Sequence, residues 1–506
     1  MSRESHRRVA VRRALPALSL AVLLVLAGCL STVDPDDVLS GRDKVVAPCL
    51  LQFPVPSLGP EGRANPAGEA DPLGWEAGVW HDDEIALDTT DGLTCTELER
   101  LVARTMARVE LVRELEFTET PRVEVVSREA FVADLPSGSP HRDYVALQNV
   151  KYEALFLVDE ATDATQVQRE NRGTSVAAYY SAATETVVMV VPEVPHPVFS
   201  EGVLAHEFVH ALQDQRFDAL DYDPRGEDAG NAYRGLVEGD ANYVEYLYER
   251  RCAAEWGDCL LPDREERSSG NRTLANRGVF TITYQPYSDG PVFVREAREA
   301  GDWAAVNDLY RAPPESTEQI IHPEKYPEDR PIPVRVDDES TDAWSPIRLL
   351  GEPNTETLGE LGLFAMFLWP AYETDGEVEF VPLEAYRNLT ESGDLTEWDP
   401  FDHTSPYSDG WGGDRLVAYR NGDGETGYVW ALAFDTDEDA AAFVDGYERL
   451  LVHHGATEGD RPGTWVVPED RPFADAFAVE RDGSRVTVVN APDVAALGEI
   501  RPGVGG

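Results

Sequence analysis

Near the middle of the chain, the run Gly202-Val-Leu-Ala-His-Glu-Phe-Val-His-Ala-Leu212 sets three ionisable side chains inside an otherwise apolar frame. The pattern constrains the fold because it has a use on a helix. Residues i and i+4 share one helical face, so His206 and His210 can point at one metal ion. Glu207 sits beside them and can hold an attacking water. A helix is expected from about residue 200 to residue 216, entered through a proline-broken segment (Pro192, Pro195, Pro197). Two histidines hold zinc poorly, and a catalytic site needs a third protein ligand. Asp214 shares their face but lies about 12 Å further along the axis than His206. That distance suits it better to a supporting bond than to the ion. Glu238, in Leu236-Val-Glu-Gly-Asp-Ala241, falls on the next helix, expected over residues 233–251. The inner side of that helix is otherwise Val, Tyr and Leu, so an inward acid there needs a partner, and a metal supplies one. Asp240, Asn242 and Glu245 are candidates to orient a ligand histidine. Geometry favours Asn242 and local context favours Asp240, and the choice stays open.

The charge balance narrows the setting. Asp and Glu number 94 against 43 Lys and Arg, a formal net charge of −51. Only three of the basic residues are lysines, Lys44, Lys151 and Lys325. The carboxylates are spread through a sequence that is 42% hydrophobic, unlike the acidic block of a disordered tail. A surface of this kind suits molar salt, where the Debye length is about 3 Å and self-repulsion is screened. Nucleic acid and anionic headgroups are excluded as natural partners of such a field.

The N-terminus reads as an export signal. Arg3, Arg7, Arg8, Arg12 and Arg13 precede an apolar run from Ala14 to Ala27, too short for a comfortable membrane span. The ending Leu26-Ala-Gly-Cys29 resembles the lipobox of bacterial and archaeal lipoproteins. That resemblance implies cleavage after residue 28, a lipid on Cys29, and residence on the outer face of the membrane. Residues 29–91, rich in Pro, Gly and Asp, read as a tether and extended lead-in. The export route, Sec or twin-arginine, stays open. Outside the cell thiols oxidise, and the short loop favours Cys252 pairing with Cys259, which leaves Cys49 for Cys95. Asn271 and Asn388 head sequons and are candidate glycosylation sites.

The expected organisation is α+β. Residues 92–400 form a main domain. It contains a helix over 96–115, strands over 122–126 and 154–158, and a hairpin over 177–191 turning near 182–185. Further helices are expected at 291–300, 303–310 and 358–369. Residues 401–506 read as a small antiparallel α+β module in β-β-α-β-β order. The cluster Gly410-Trp-Gly-Gly-Asp-Arg415 fits a close-packed turn as well as a binding loop.

His-Glu-x-x-His followed by a glutamate on the next helix resembles the gluzincin branch of zinc metallopeptidases. The wider frame adds His206-Glu-Phe-Val-His-Ala-Leu-Gln-Asp-Gln215, the Glu238 segment and Ser316-Thr-Glu-Gln-Ile-Ile-His-Pro-Glu-Lys-Tyr326. That frame is similar to a group of haloarchaeal surface lipoproteins. The gluzincin resemblance implies a zinc cofactor held by His206, His210 and Glu238, a peptide or protein substrate, and Glu207 as general base. It also implies that the strand before the motif helix, Val187–Val191, forms the edge along which a peptide lies. The 27 residues between His210 and Glu238 exceed the spacing of the best-known gluzincins, with a polar loop over 218–231 taking up the excess. His322 and Tyr326 are the candidates to stabilise an oxyanion, although His322 equally suits a packing role beside Pro323. Two other functions fit the same residues: a non-catalytic surface protein with a structural zinc site, and a zinc hydrolase of a non-peptide bond. Oligomeric state is not legible.

Overall fold

Thr94 opens the first long helix, α1 (Cys95–Arg113), through a capping box in which Glu97 reaches back to the Thr94 backbone. The chain that follows is a mixed α+β protein. The computed structural model describes residues 72–504 and Leu26–Ala27, apart from residues 136–139, 193–196, 199, 223, 225, 262–273 and 350–354. The signal segment (save those two residues), Cys29, Cys49 and Asn271 lie outside the described residues. Among the described residues no helix is long and apolar enough to cross a membrane.

After α1 come β1 (Arg122–Ser127), α2 (Arg142–Ala154), α3 (Ala164–Ser175), and a hairpin of β2 (Val176–Ser181) and β3 (Thr186–Val191). β3 pairs in parallel with β1 and antiparallel with β2, so it lies inside the sheet. All six of its residues are buried, which is why Val-Val-Met-Val-Val reads as a continuous apolar run. The expectation that Val187–Val191 forms a peptide-binding edge is therefore overturned. The outer strand of the hairpin is β2, along which Leu26–Ala27 pairs over two residues. The strand expected at 154–158 is also absent. α2 runs through Ala154, and the next four residues turn back with Phe156 at φ 52°. Their burial at 3% exposure or less satisfies the apolar run without a strand.

The motif helix α4 (Glu201–Phe217) packs on α1 and β2 and is crossed by α5 (Glu227–Arg251). α5 starts six residues before the expected position, shortening the polar loop. The helices expected at 291–300 and 303–310 belong to one run, α6 (Arg277–Leu309), broken at Gly301–Asp302. It begins at the Asn276 cap, with Pro286 inside it and Pro291 inside it where a helix start was expected. α6 packs closely on α5 at a glycine pair: a Cβ on Gly239 would stand 2.4 Å from the carbonyl of Gly290. Only glycine fits there, one residue from Glu238.

The short α7 (Thr317–Ile321) and the apolar α8 (Gly359–Glu373) lead to the C-terminal sheet. Its main strands are β4 (Trp411–Asn421), β5 (Thr426–Phe434), β6 (Ala476–Asp482) and β7 (Arg485–Ala491), with α9 (Asp437–His453) between the two hairpins. All four run antiparallel, in the spatial order β6-β7-β5-β4. One apolar core joins α2, α6 and α8 to this sheet and α9, so it draws on residues either side of position 400. A second holds α1, the first sheet, α4 and α5. α6 supplies Phe280 and Tyr284 to the former and Phe293 and Val294 to the latter. In the glycine cluster, Asp414 is buried and accepts from the Leu358 and Gly359 backbones and from both Trp411 and Trp430 indoles. Close packing describes the segment, but from Trp411 onward it is strand β4 and the expected turn ends at Gly410.

Candidate metal centre

Burial of Glu201 at the first position of α4 sets where the motif helix begins. Its carboxylate meets Arg104 at 3.1 Å and Arg108 at 2.8 Å, both on α1 and at 1% exposure or less. It also accepts from the Tyr248 hydroxyl and the Leu260 backbone. Cys252 and Cys259 are disulfide-bonded, and the loop they close brings Asp258 to the same two arginines. Cys95 is disulfide-bonded as well, its partner lying outside the described residues. Breaking a buried ion pair of this kind costs about 3–5 kcal/mol, so the start of α4 is firmly held.

Two turns further on, His206, His210 and Glu238 converge. The two Nε2 atoms are 3.0 Å apart, and Glu238 Oε2 lies 3.3 Å from each. All three side chains are at 1% exposure or less. The outer nitrogens decide what the inner ones present. His210 Nδ1 is 2.8 Å from Gln213 Oε1, and Gln213 Nε2 donates to the Val237 carbonyl at 2.8 Å. The amide is thus oriented with its oxygen toward the ring, so His210 carries its proton on Nδ1. His206 Nδ1 faces Glu245 Oε2 at 3.3 Å, and the carboxylate favours the same tautomer. In the neutral rings both Nε2 atoms are then bare lone pairs, aimed with a carboxylate oxygen at one point. Such a triangle is repulsive unless a cation fills it. A tetrahedral ion with bonds of about 2.0–2.1 Å has ligand–ligand edges of about 3.3 Å, close to the spacings here. The donors fit a zinc ion.

The demand for positive charge shows in the titration of the same groups. Burial works against a charge on His206, yet Glu238 and Glu245 outweigh it and raise its pKa to about 10. Burial likewise opposes ionised Glu238, but His210 and His206 hold it well below the usual carboxylate range. Glu207, fully buried, has neither oxygen hydrogen-bonded. Burial pushes its pKa up to about 7 against the pull of the two histidines. An unpartnered carboxyl beside a cation site is placed to take a water. The Tyr287 ring stacks on His206 with centroids 6.4 Å apart. Arg172, at the end of α3, interacts electrostatically with Tyr287 and with Tyr179 of β2, and Tyr179 in turn feels the charge of Glu207.

The remaining candidates are placed elsewhere. Asp214 accepts from the Tyr180 hydroxyl at 2.9 Å. Asp240 is held by Arg113 at 2.9 Å and by the Tyr310 hydroxyl at 2.7 Å, so it does not orient a ligand histidine. Asn242 donates to the Tyr287 carbonyl at 3.0 Å. The histidines are oriented by Glu245 and by Gln213, a residue missed from the sequence although it stands three positions after His210, on the same helical face. His322 pairs with Glu360 at 3.0 Å, and Tyr326 donates its hydroxyl to the Ala312 carbonyl. Neither contact reaches the three donors, and Arg172 is the cation tied electrostatically to their surroundings. The Asn388 side chain hydrogen-bonds the Asp399 carboxyl.

Residues 347–501 match the model of a family described as a domain of unknown function, DUF8575. The match covers α8 and the C-terminal sheet and leaves out α4 and α5, which carry the convergent donors. Comparison with curated proteins and with solved structures finds no match for the chain.

Proposed function

We propose that the chain is a zinc-dependent hydrolase of the gluzincin kind, acting on peptide bonds at the outer surface of a salt-adapted cell. The observation that carries the reading is the triangle of two bare imidazole nitrogens and one carboxylate beside an unpartnered, buried Glu207. A purely structural site needs the triangle but has no use for the base. Zinc held by His206, His210 and Glu238 would polarise a carbonyl and acidify water. Glu207 accepts a proton from that water, its raised pKa placing it near the working range, and returns it to the leaving amine. The outer edge of β2, where Leu26–Ala27 pairs with Val176 and Ala178, would offer backbone groups to an extended peptide once cleavage after residue 28 removed that segment, in the role the gluzincin resemblance assigned to β3. The signal-like N-terminus and Leu26-Ala-Gly-Cys29 support export and a lipid anchor on Cys29.

The test is metal analysis of the protein purified in molar salt, with turnover of a peptide library by wild type and Glu207→Gln. The reading expects stoichiometric zinc in both and a loss of at least about 100-fold in turnover in the variant. Stoichiometric zinc with no turnover in either protein would leave a structural site and end the hydrolase reading.

A further inference from the structure

The segment Ser316-Thr-Glu-Gln-Ile-Ile-His-Pro-Glu-Lys-Tyr326 stands out in the sequence, yet none of its side chains serves the centre on α4 and α5. His322 follows α7, and its Nε2 lies 3.0 Å from Glu360 Oε1 at the start of α8. Asp409, in the turn before β4, offers a carboxylate oxygen to the same place. One ligand atom from each of the three lies within 4.8 Å of the other two. An ordinary histidine–glutamate pair accounts for the first contact and leaves the rest unexplained. Glu360 is fully buried, and its second oxygen, Oε2, has no hydrogen-bond partner. An unsatisfied carboxylate oxygen in the interior is costly unless something positive meets it.

The nearby groups do not supply that partner by hydrogen bond. The first amides of α8 are taken by Asp414, which accepts from Leu358 and Gly359. Lys325 donates to the buried Glu318 and also faces Asp435 at 3.4 Å. On its far side the imidazole Nδ1 faces the exposed Glu324 at 3.9 Å, which leaves that nitrogen free to carry the ring proton when Nε2 binds an ion. One imidazole with two carboxylates is a mixed nitrogen and oxygen donor set. Zn2+, a borderline ion, takes such a set readily and the harder Mn2+ more weakly, whereas Ca2+ and Mg2+ prefer oxygen alone.

We propose that His322, Glu360 and Asp409 hold a second divalent transition-metal ion, which clamps α7, the N-terminus of α8 and the turn before β4. The site shares no ligand with the first and does not depend on the hydrolase reading. Its place is structural: it ties the segment around α7, which packs on α5, to the sheet-bearing part of the chain.

The test uses the full chain at molar KCl, stripped with a chelator, dialysed against Zn2+ or against Mn2+, and counted for bound metal by elemental mass spectrometry. Glu360→Gln should hold one ion fewer per chain than wild type, and Glu238→Gln should also hold one fewer. The double variant should lose both. An unchanged count in Glu360→Gln overturns the proposal while leaving the α4–α5 centre intact. The converse pattern, loss only in Glu360→Gln, removes the centre and keeps this site. If Glu360→Gln loses its near-ultraviolet circular dichroism, the half-buried ligand Asp409 is replaced by Asn. The same loss of one ion supports the proposal, and retention overturns it.

Discussion

Glu245 provides the sharpest test of the proposed metal centre. Its Oε2 lies 3.3 Å from His206 Nδ1 and its side chain is 18% exposed, so it is the outer partner of one ligand and not a ligand itself. Replacing it by Gln keeps an acceptor for the Nδ1 proton and removes only the charge. Replacing it by Ala removes both and frees the ring to turn. Outer partners of metal-bound histidines typically govern about 10–100-fold in affinity. The partly exposed position and the retained acceptor put Glu245→Gln near the tenfold end, about 1.4 kcal/mol. Glu245→Ala belongs nearer the hundredfold end, about 2.7 kcal/mol. Competition for zinc against a chromophoric chelator, in molar KCl, measures both. Asp240→Asn is the control, because that carboxylate is already occupied by Arg113 and Tyr310. It should weaken the fold and leave zinc affinity within about twofold. Wild-type affinity in both Glu245 variants, or an equal loss in a folded Asp240→Asn, would refute the tautomer argument on which the centre rests.

Three further outcomes follow from packing and charge. Arg113→Met strands the buried Asp240 and should lower stability by about 3–5 kcal/mol in denaturant unfolding, whereas adding Asp240→Leu should recover most of it; equal stability of the two variants would contradict the pairing. Gly239→Ala drives a methyl to 2.4 Å from the Gly290 backbone, which cannot yield as a side chain can, and should cost at least about 1–3 kcal/mol in thermal unfolding; wild-type Tm would mean that the helices are not in contact there. With a net charge of −51, Tm should fall steadily as KCl is lowered from 1 M to 0.1 M and the Debye length grows from about 3 to about 10 Å; a Tm indifferent to salt would remove the halophilic reading.

The three convergent side chains were legible in the sequence because each rests on a local rule. The i, i+4 spacing sets the two histidines on one face, and an acid on the buried face of α5 has to find a partner. The hairpin and the β-β-α-β-β order were legible for the same reason, through alternation and turn residues. What local rules do not carry is adjacency. Both an edge strand and an interior strand can read as Val-Val-Met-Val-Val, and only the parallel pairing with β1, some 60 residues upstream, makes β3 interior. Asp240 was a candidate outer partner from its Glu-Gly-Asp-Ala context, but on a helix its offset of two residues from Glu238 turns it through about 200° and away from the histidines. Seven residues, nearly two full turns, bring Glu245 back to the ligand face. Pro291 read as a helix start, yet α6 continues through it and through Pro286 with neighbours packed on its sides.

The buried arginines explain how a chain this acidic holds its site in place. Arg104, Arg108 and Arg113 all stand on α1 at 1% exposure or less, in a protein whose carboxylates outnumber its cations about two to one. Each meets an acid on an element that carries or frames the centre. Arg104 and Arg108 take Glu201 at the head of α4 and Asp258 in the disulfide loop, and Arg113 takes Asp240 on α5. Guanidinium suits this work where lysine does not, since its planar fork spans two oxygens and it is the more weakly hydrated cation to bury. Surface acidity and interior arginine are then two sides of one arrangement. Outward carboxylates rely on salt for screening, whereas the inward ones that fix the angle between α4 and α5 are neutralised by α1, whatever the salt outside. The donor triangle of His206, His210 and Glu238 depends on that angle, so its geometry should persist at ionic strengths where the surface begins to fail.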